Sequence, residues 1–318
     1  MSALSPDPWR YCVAPMMDCT DRHARYLLRL ISRRARLYTE MVTAAALLHG
    51  DAGRLLGHDA AEHPLALQLG GSDPAQLAAA ARLGEAHGYQ EINLNAGCPS
   101  DRVSAGRFGA CLMLEPARVA DCVAAMRAAV QVPVTVKCRI GVDERDRYVD
   151  LLAFVDEVAG AGCETFIVHA RKAWLSGLSP KQNRDIPPLR HHEVHRLKRE
   201  RPALRIVING GLADVAAARV HLVQVDGVML GRAAYPDCWS PAPQRPVVLE
   251  AYCQYMERQR AAGVPLAPMA RHLLGFYQGV PGARAWRRHL STHMHRRDAE
   301  VDVVREAARR VSPAAHAA

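Results

Sequence analysis

Short apolar and β-branched runs recur along the chain, each closed by Gly, Pro or a polar residue and followed by an Ala-, Leu- and Arg-rich stretch. Such runs read as buried strands, and the stretches between them carry helical spacing. The predicted strands are Cys12–Met17, Leu37–Val42, Pro64–Gly70, Glu91–Asn95, Pro133–Arg139, Thr165–Ala170, Arg205–Gly210 and Gly227–Gly231. Predicted helices between them include Pro74–His87, Pro116–Val130 and Arg147–Ala161. Strands alternating with helices make an α/β protein with a parallel sheet. Eight strands are the number that closes a (β/α)8 TIM barrel. A doubly wound open sheet would carry a glycine fingerprint after its first strand, and G-x-G-x-x-G is absent there. The barrel is therefore the expected fold of residues 1–240.

The strand pattern stops near Arg232, and Pro236–Pro246, with four prolines, reads as a linker. Beyond it, Val247–Arg260, Met269–Phe276, Ala283–His293 and Asp298–Val311 read as helices, so 247–318 is expected to be a small helical bundle. The chain of 318 residues is long enough for both parts. Its net charge of +9 is unevenly spread: from Arg245 onward there are twelve Arg against six Asp or Glu. A basic helical tail suits a polyanion such as nucleic acid. Apolar stretches are short and interrupted, which argues against a membrane span. The first residues lack the basic and apolar segments of a secretory signal. Nine cysteines without a C-x-x-C pair point to reduced thiols in a cytoplasm and to no metal site. No protein partner is evident.

The C-terminal ends of barrel strands are where chemistry is done. Strand four ends in Asn95-Ala96-Gly97-Cys98-Pro99, which presents an amide and a thiol and then breaks. A free Cys is most often a small buried apolar residue, so Cys98 gains weight only from its neighbours. Strand one ends in Ala14-Pro15-Met16-Met17, strand three in Gln68, strand five in Lys137 and Arg139, and strand six in His169 and Arg171. Strand seven ends in Asn209-Gly210-Gly211 and strand eight in Gly231-Arg232. Singly, each has a structural explanation: a satisfied core histidine, a snorkelling lysine, an ordinary glycine turn. Polar groups on so many successive strand ends would each need a partner if buried, and together they read as a site. The glycines after strands seven and eight fall where barrels bind phosphate, with Arg232 able to add a charged contact. Lys137 and Gln68 suit the pyrimidine edge of a flavin, and the Pro15–Met16 turn suits its apolar face. FMN fits this inventory better than a bare sugar phosphate.

These residues resemble the tRNA-dihydrouridine synthases, in motifs spread over nearly the whole chain: APMMDCTDRH, TEMVTA, LQLGG, EINLNAGCPSDRV, GRFGACLM, VKCRIGVD, INGG and DGVMLGRAAY. HARKAWLSGLSPKQNRDIPPL and GARAWRRHLS resemble the A subfamily, which acts on uridines 20 and 20a of the tRNA D-loop. The resemblance implies bound FMN reduced by NADPH, hydride transfer from flavin N5 to uracil C6, and protonation of C5 by Cys98. It implies FMN contacts from Pro15, Met16, Met17, Gln68, Lys137, His169, Asn209, Gly210, Gly211, Gly231 and Arg232. Asn95 would meet the uracil, while Arg171, Lys181, Arg184, Arg284 and Arg287 would hold tRNA. Ser104-Ala105 departs from the family pattern, which has Gln and a polar residue there.

Two other readings stand beside this one. A free-pyrimidine FMN oxidoreductase would share the barrel but leaves the basic tail without a purpose. A non-catalytic RNA-binding barrel leaves Cys98, Lys137 and His169 without one. The basic residues themselves could form no more than a solvated face.

Overall fold

The computed structural model describes residues 7–100, 106–234 and 245–311. The departure at Ser104-Ala105 and most of the proline-rich segment lie outside the described residues. In chain order the elements are β1 (Tyr11–Val13), α1 (Arg22–Ile31), β2 (Leu37–Thr43), α2 (Ala44–His49), α3 (Ala52–Leu56), β3 (Leu65–Gly70), α4 (Pro74–Ala86) and β4 (Ile92–Ala96). Then come α5 (Pro116–Ala129), β5 (Val134–Arg139), α6 (Tyr148–Gly160), β6 (Thr165–His169), α7 (Gln182–Asp185), α8 (His191–Glu200), β7 (Arg205–Asn209), α9 (Val215–His221) and β8 (Gly227–Leu230). The rest is helical: α10 (Arg245–Ala261), α11 (Leu266–Ala270), α12 (Ala283–His293) and α13 (Asp302–Ala308). The chain folds as two compact units.

The first unit takes in residues 7–17, 35–58, 63–100 and 106–231 and is a TIM barrel. Its eight strands run parallel in the order β1-β8-β7-β6-β5-β4-β3-β2. A parallel bridge between Cys12 and Arg36 closes the ring, through Val13 N–H to Arg36 O at 2.9 Å and Arg36 N–H to Tyr11 O at 2.9 Å. Alternation along each strand sorts residues to two faces. On β4, Ile92 faces outward: a Cβ on Gly84 of α4 would lie 2.8 Å from its Cδ1 and 2.7 Å from Leu67 Cδ2. Gly84 thus lets helix and sheet approach closely. Asn93 faces inward, in register with Gln68 of β3 and Thr135 of β5. The inner face of the barrel is polar on these three strands, while Cys12, Ala14, Ala66, Ile167, Val207 and Met229 form an apolar cluster.

The first strand ends at Val13 rather than Met17. Ala14 N–H still reaches Leu230 O at 2.8 Å, but Pro15 has no N–H to extend the ladder.

The second unit gathers residues 18–34, 59–62, 232–234 and 245–311. Its core joins Leu27 of α1 to Tyr252 and Met256 of α10, Leu273, Trp286 of α12 and Val304 of α13. Trp286 is fully buried and donates to Leu273 O at 2.8 Å. Asp21 caps α1, accepting from His23 and Ala24 N–H, and also accepts from Arg271 at 2.6 Å and His272 at 3.0 Å. Burial opposes its ionisation, but the His272 and Arg271 hydrogen bonds outweigh this and hold its carboxyl well below the usual range. Arg25 pairs with Glu62 at 2.6 Å, both buried. Among the described residues, Pro246 lies in helix α10 and not in the predicted linker. The predicted helix at Met269–Phe276 resolves into α11 and a 3-10 turn over Arg271–Leu273.

Candidate active site

Cys98 stands half-buried just past β4. Its loop is held from beneath: Asn95 Oδ1 accepts from the N–H groups of Gly97 at 3.0 Å and Cys98 at 2.9 Å. The other end of the Asn95 amide donates to Gln68 Oε1 at 2.8 Å, and Gln68 Nε2 donates to Asn93 Oδ1 at 2.7 Å. Gln68, Asn95 and Cys98 thus lie in one hydrogen-bonded group. The Cys98 thiol reaches Ser100 Oγ at 3.6 Å.

Strands β5 and β6 bring cations to the same end of the barrel. Burial, with Arg139 adding to it, pushes the Lys137 pKa down to about 8. Arg139 points its guanidinium at carbonyl oxygens: Gly97 at 3.1 Å, Lys172 at 3.1 Å and Asn183 at 2.9 Å. Burial, then Arg184 and Arg171, lower its pKa to about 10, so it stays charged at neutral pH. A negative charge on Cys98 is felt by both Lys137 and Arg139. His169 is buried, and burial together with Arg139, Lys137, Arg171 and Arg184 holds its pKa well below the usual imidazole value, leaving it neutral.

The adjoining wall, past the ends of β7 and β8, is glycine. Gly210 (φ +104°) and Gly211 (φ +71°) both adopt left-handed backbone, and a Cβ on Gly210 would lie 2.3 Å from His169 Cδ2. His191 Nε2–H donates to Gly210 O at 2.7 Å, and Asn209 Nδ2 donates to Met229 O at 2.7 Å. A Cβ on Gly231 would sit 3.9 Å from Met16 Sδ, so the end of β8 and the Pro15–Met16 turn adjoin. Met17 is exposed. Arg232, next after Gly231, is exposed and opens a 3-10 turn.

The remaining predicted residues lie outside the strands. Arg171 donates to Pro187 O. Lys181 and Arg184 are exposed at either end of the single turn α7. Arg284 and Arg287 are exposed on α12 in the helical unit, on either side of the buried Trp286. The sequence pattern gives Arg139 no role of its own and does not single out Asn183. Asn183 is buried, takes Trp174 N–H at 2.8 Å and donates to Trp174 O and Leu178 O. Arg139 carries a usable signal: it lies two residues beyond Lys137, on the same strand face.

A half-buried thiol beside two cations, a cationic strand-end wall and a left-handed glycine pair can hold an anion and deliver a proton next to it. The chain belongs to the dihydrouridine synthase family (Dus), which it matches over residues 12–312. Three relatives are named tRNA-dihydrouridine(20/20a) synthase. That of Xanthomonas campestris is 56% identical over 319 residues, covering 97% of this chain and 95% of its own. That of Salmonella typhimurium is 54% identical, covering 96% of each chain. That of Escherichia coli is 53% identical, covering 95% of this chain and 92% of its own. Among solved structures, a 2-naphthoyl-CoA reductase in complex with 2-naphthoyl-CoA shares the fold, with a TM-score of 0.52 and 11% identity over 82% of this chain. This chain covers 51% of that larger one.

Proposed function

We propose that this chain reduces uridine to 5,6-dihydrouridine in the D-loop of tRNA, at positions 20 and 20a, with FMN as bound cofactor and NADPH as reductant. Identity above half to relatives of that name, over nearly the full length, supports the reaction. The observation that carries the mechanism is Cys98, held at the end of β4 by Asn95 beside Lys137 and Arg139. No helix among the described residues is long and apolar enough to cross a membrane.

The residues present fit FMN. Arg139, Lys137, Arg171 and Arg184, the neighbours that depress His169 most after burial, are cations, a setting that favours a phosphate or an anionic ring. Gly210 and Gly211 open the backbone where a side chain would collide with His169 or Leu189. Lys137, Gln68, His169, Asn209, Gly210, Gly211, Gly231 and Arg232 would hold the cofactor, with Pro15, Met16 and Met17 on the apolar side. When bound and reduced, FMN supplies the hydride that C6 of the uracil receives.

The protein's own part is proton delivery and orientation. Addition at C6 leaves negative charge on C5 and the adjoining carbonyl, and an acid must stand close to quench it. The Cys98 Sγ–H gives its proton to C5, and the thiolate left behind is balanced by Lys137 and Arg139 before water restores the thiol. Asn95 keeps the Cys98 loop closed and meets the uracil. The target base has to leave its stack to enter the barrel mouth. Arg171, Lys181, Arg184, Arg284 and Arg287 would steady the RNA through phosphates, which positions it without reading its sequence.

The test begins with the visible spectrum of purified protein and identification of the extracted flavin. Dihydrouridine is then mapped in tRNA from a strain lacking the gene, complemented with wild type or Cys98→Ala. The variant should keep FMN and its reduction by NADPH while losing uridine reduction by about 10²–10⁴-fold. Undiminished dihydrouridine would remove Cys98 from the mechanism.

A further inference from the structure

We propose that Thr135 and Asn93, set by the carboxylate of Glu91, are positioning residues that hold the Cys98 turn closed from inside the barrel. A side-chain amide can turn over, exchanging its donor and acceptor ends with almost no change of shape. Buried amides therefore have two orientations of similar fit unless a neighbour fixes one. Asn93, Gln68 and Asn95 are three such amides, and all are buried.

The fixed end is Glu91, fully buried just before β4. Trp9 Nε1 and Arg36 donate to its Oε2 at 2.8 and 2.9 Å, and the Tyr38 hydroxyl to its Oε1 at 2.9 Å. Paired with the buried Arg36 guanidinium, this carboxylate acts as an acceptor, so the Thr135 hydroxyl donates to Glu91 Oε1, at 2.6 Å. That uses the single hydroxyl hydrogen, and Thr135 can then only accept from Asn93 Nδ2, at 2.7 Å. Asn93 is left with its oxygen toward Gln68, which donates at 2.7 Å. Gln68 is left with its oxygen toward Asn95, which donates at 2.8 Å. The Asn95 oxygen then faces the N–H groups of Gly97 and Cys98. Each link permits one direction.

Strand register builds the row. Gln68, Asn93 and Thr135 are direct neighbours across β3, β4 and β5, sealed from water that could supply other partners. If Asn95 turned over, its NH2 would confront two backbone N–H groups, and the turn carrying Cys98 would open. The consequence for turnover rests on the proposed role of Cys98, whereas the closure of the turn does not.

Thr135→Val removes the hydroxyl at nearly constant shape and releases the amides. Hydrogen exchange at the Gly97 and Cys98 amides should accelerate about tenfold, the effect of losing one such bond. Dihydrouridine formation should fall about 10–100-fold in kcat with KM for tRNA unchanged, as expected for a misplaced reacting group. Thr135→Ser should restore both exchange and kcat. Unchanged protection of Gly97 and Cys98 in Thr135→Val would overturn the proposal. So would unprotected Gly97 and Cys98 amides in the wild-type protein, a measurement that needs no variant to fold. Failure of the catalytic reading would show differently, as full dihydrouridine formation by Cys98→Ala with the exchange effect of Thr135→Val intact.

Discussion

Cys122, Cys138, Cys163 and Cys253 are buried thiols, and burial pushes each of them up to about 12. They stay protonated and serve as small apolar residues. Cys98 differs in place and company: it stands half-buried at a strand end beside Lys137 and Arg139. Lys137 carries a prediction of its own. With its pKa lowered to about 8 from 10.5, it is charged below about pH 8 and neutral above. Keeping that charge buried costs the folded protein stability below pH 8, and the cost is relieved as pH rises from there toward the unfolded value. A bound anion favours the charged form, so binding above pH 8 takes up a proton. FMN affinity, followed by flavin fluorescence, should fall by up to roughly tenfold per pH unit above about 8, and Lys137→Met should bind weakly with a flat profile. A wild-type profile as flat as that of Lys137→Met would sink the assignment. Gln68, Asn95, Lys137 and His169 are legible in the sequence because inward positions recur every second residue. The contacts of Arg139 are not, since its partners Lys172 and Asn183 arrive on the segment after β6, far along the chain.

At the scale of elements, the eight strands can be read from apolar runs and their Gly, Pro and polar stops. What escapes such reading is local chemistry at the ends, such as Pro15 cutting β1 short. The polar inner face of β3, β4 and β5 is also hidden, because Glu91, Asn93 and Thr135 look like ordinary strand-edge residues until register aligns them. The β7 end offers a sharper test. Gly210→Ala would force a side chain into left-handed backbone and against His169. It should cost about 1–3 kcal/mol in urea unfolding and loosen FMN retention. A fully stable, fully yellow variant would mean that the glycine is incidental there.

At the scale of the whole molecule, positive charge is concentrated in the helical unit while the proposed chemistry is assigned to the barrel. Trp286 anchors α12, so reversing the exposed Arg284 and Arg287 to Glu together should leave stability within about 0.5 kcal/mol per site. Binding of tRNA should weaken and its salt dependence flatten, by roughly one unit of slope for each phosphate that is no longer neutralised. Coincident salt series for wild type and double variant would show a merely solvated basic face. FMN content should not change in either case.

Helix α1 has a further consequence, for the order in which the molecule can be made. It leaves the ribosome among the first elements, yet Tyr26 stacks on Tyr255 at 3.9 Å and Asp21 waits for Arg271 and His272. Contacts so distant in sequence close late. Until α10 emerges, Tyr26, Leu27, Leu30 and Ile31 have no core to join, and exposed apolar surface of this kind invites aggregation or chaperone capture. A chain stopped after residue 244 is therefore expected to be insoluble rather than a free-standing barrel, which fractionation of the truncated product would reveal. Restoring solubility to that fragment by replacing Leu27, Leu30 and Ile31 with polar residues would identify α1 as the nascent chain's exposed liability.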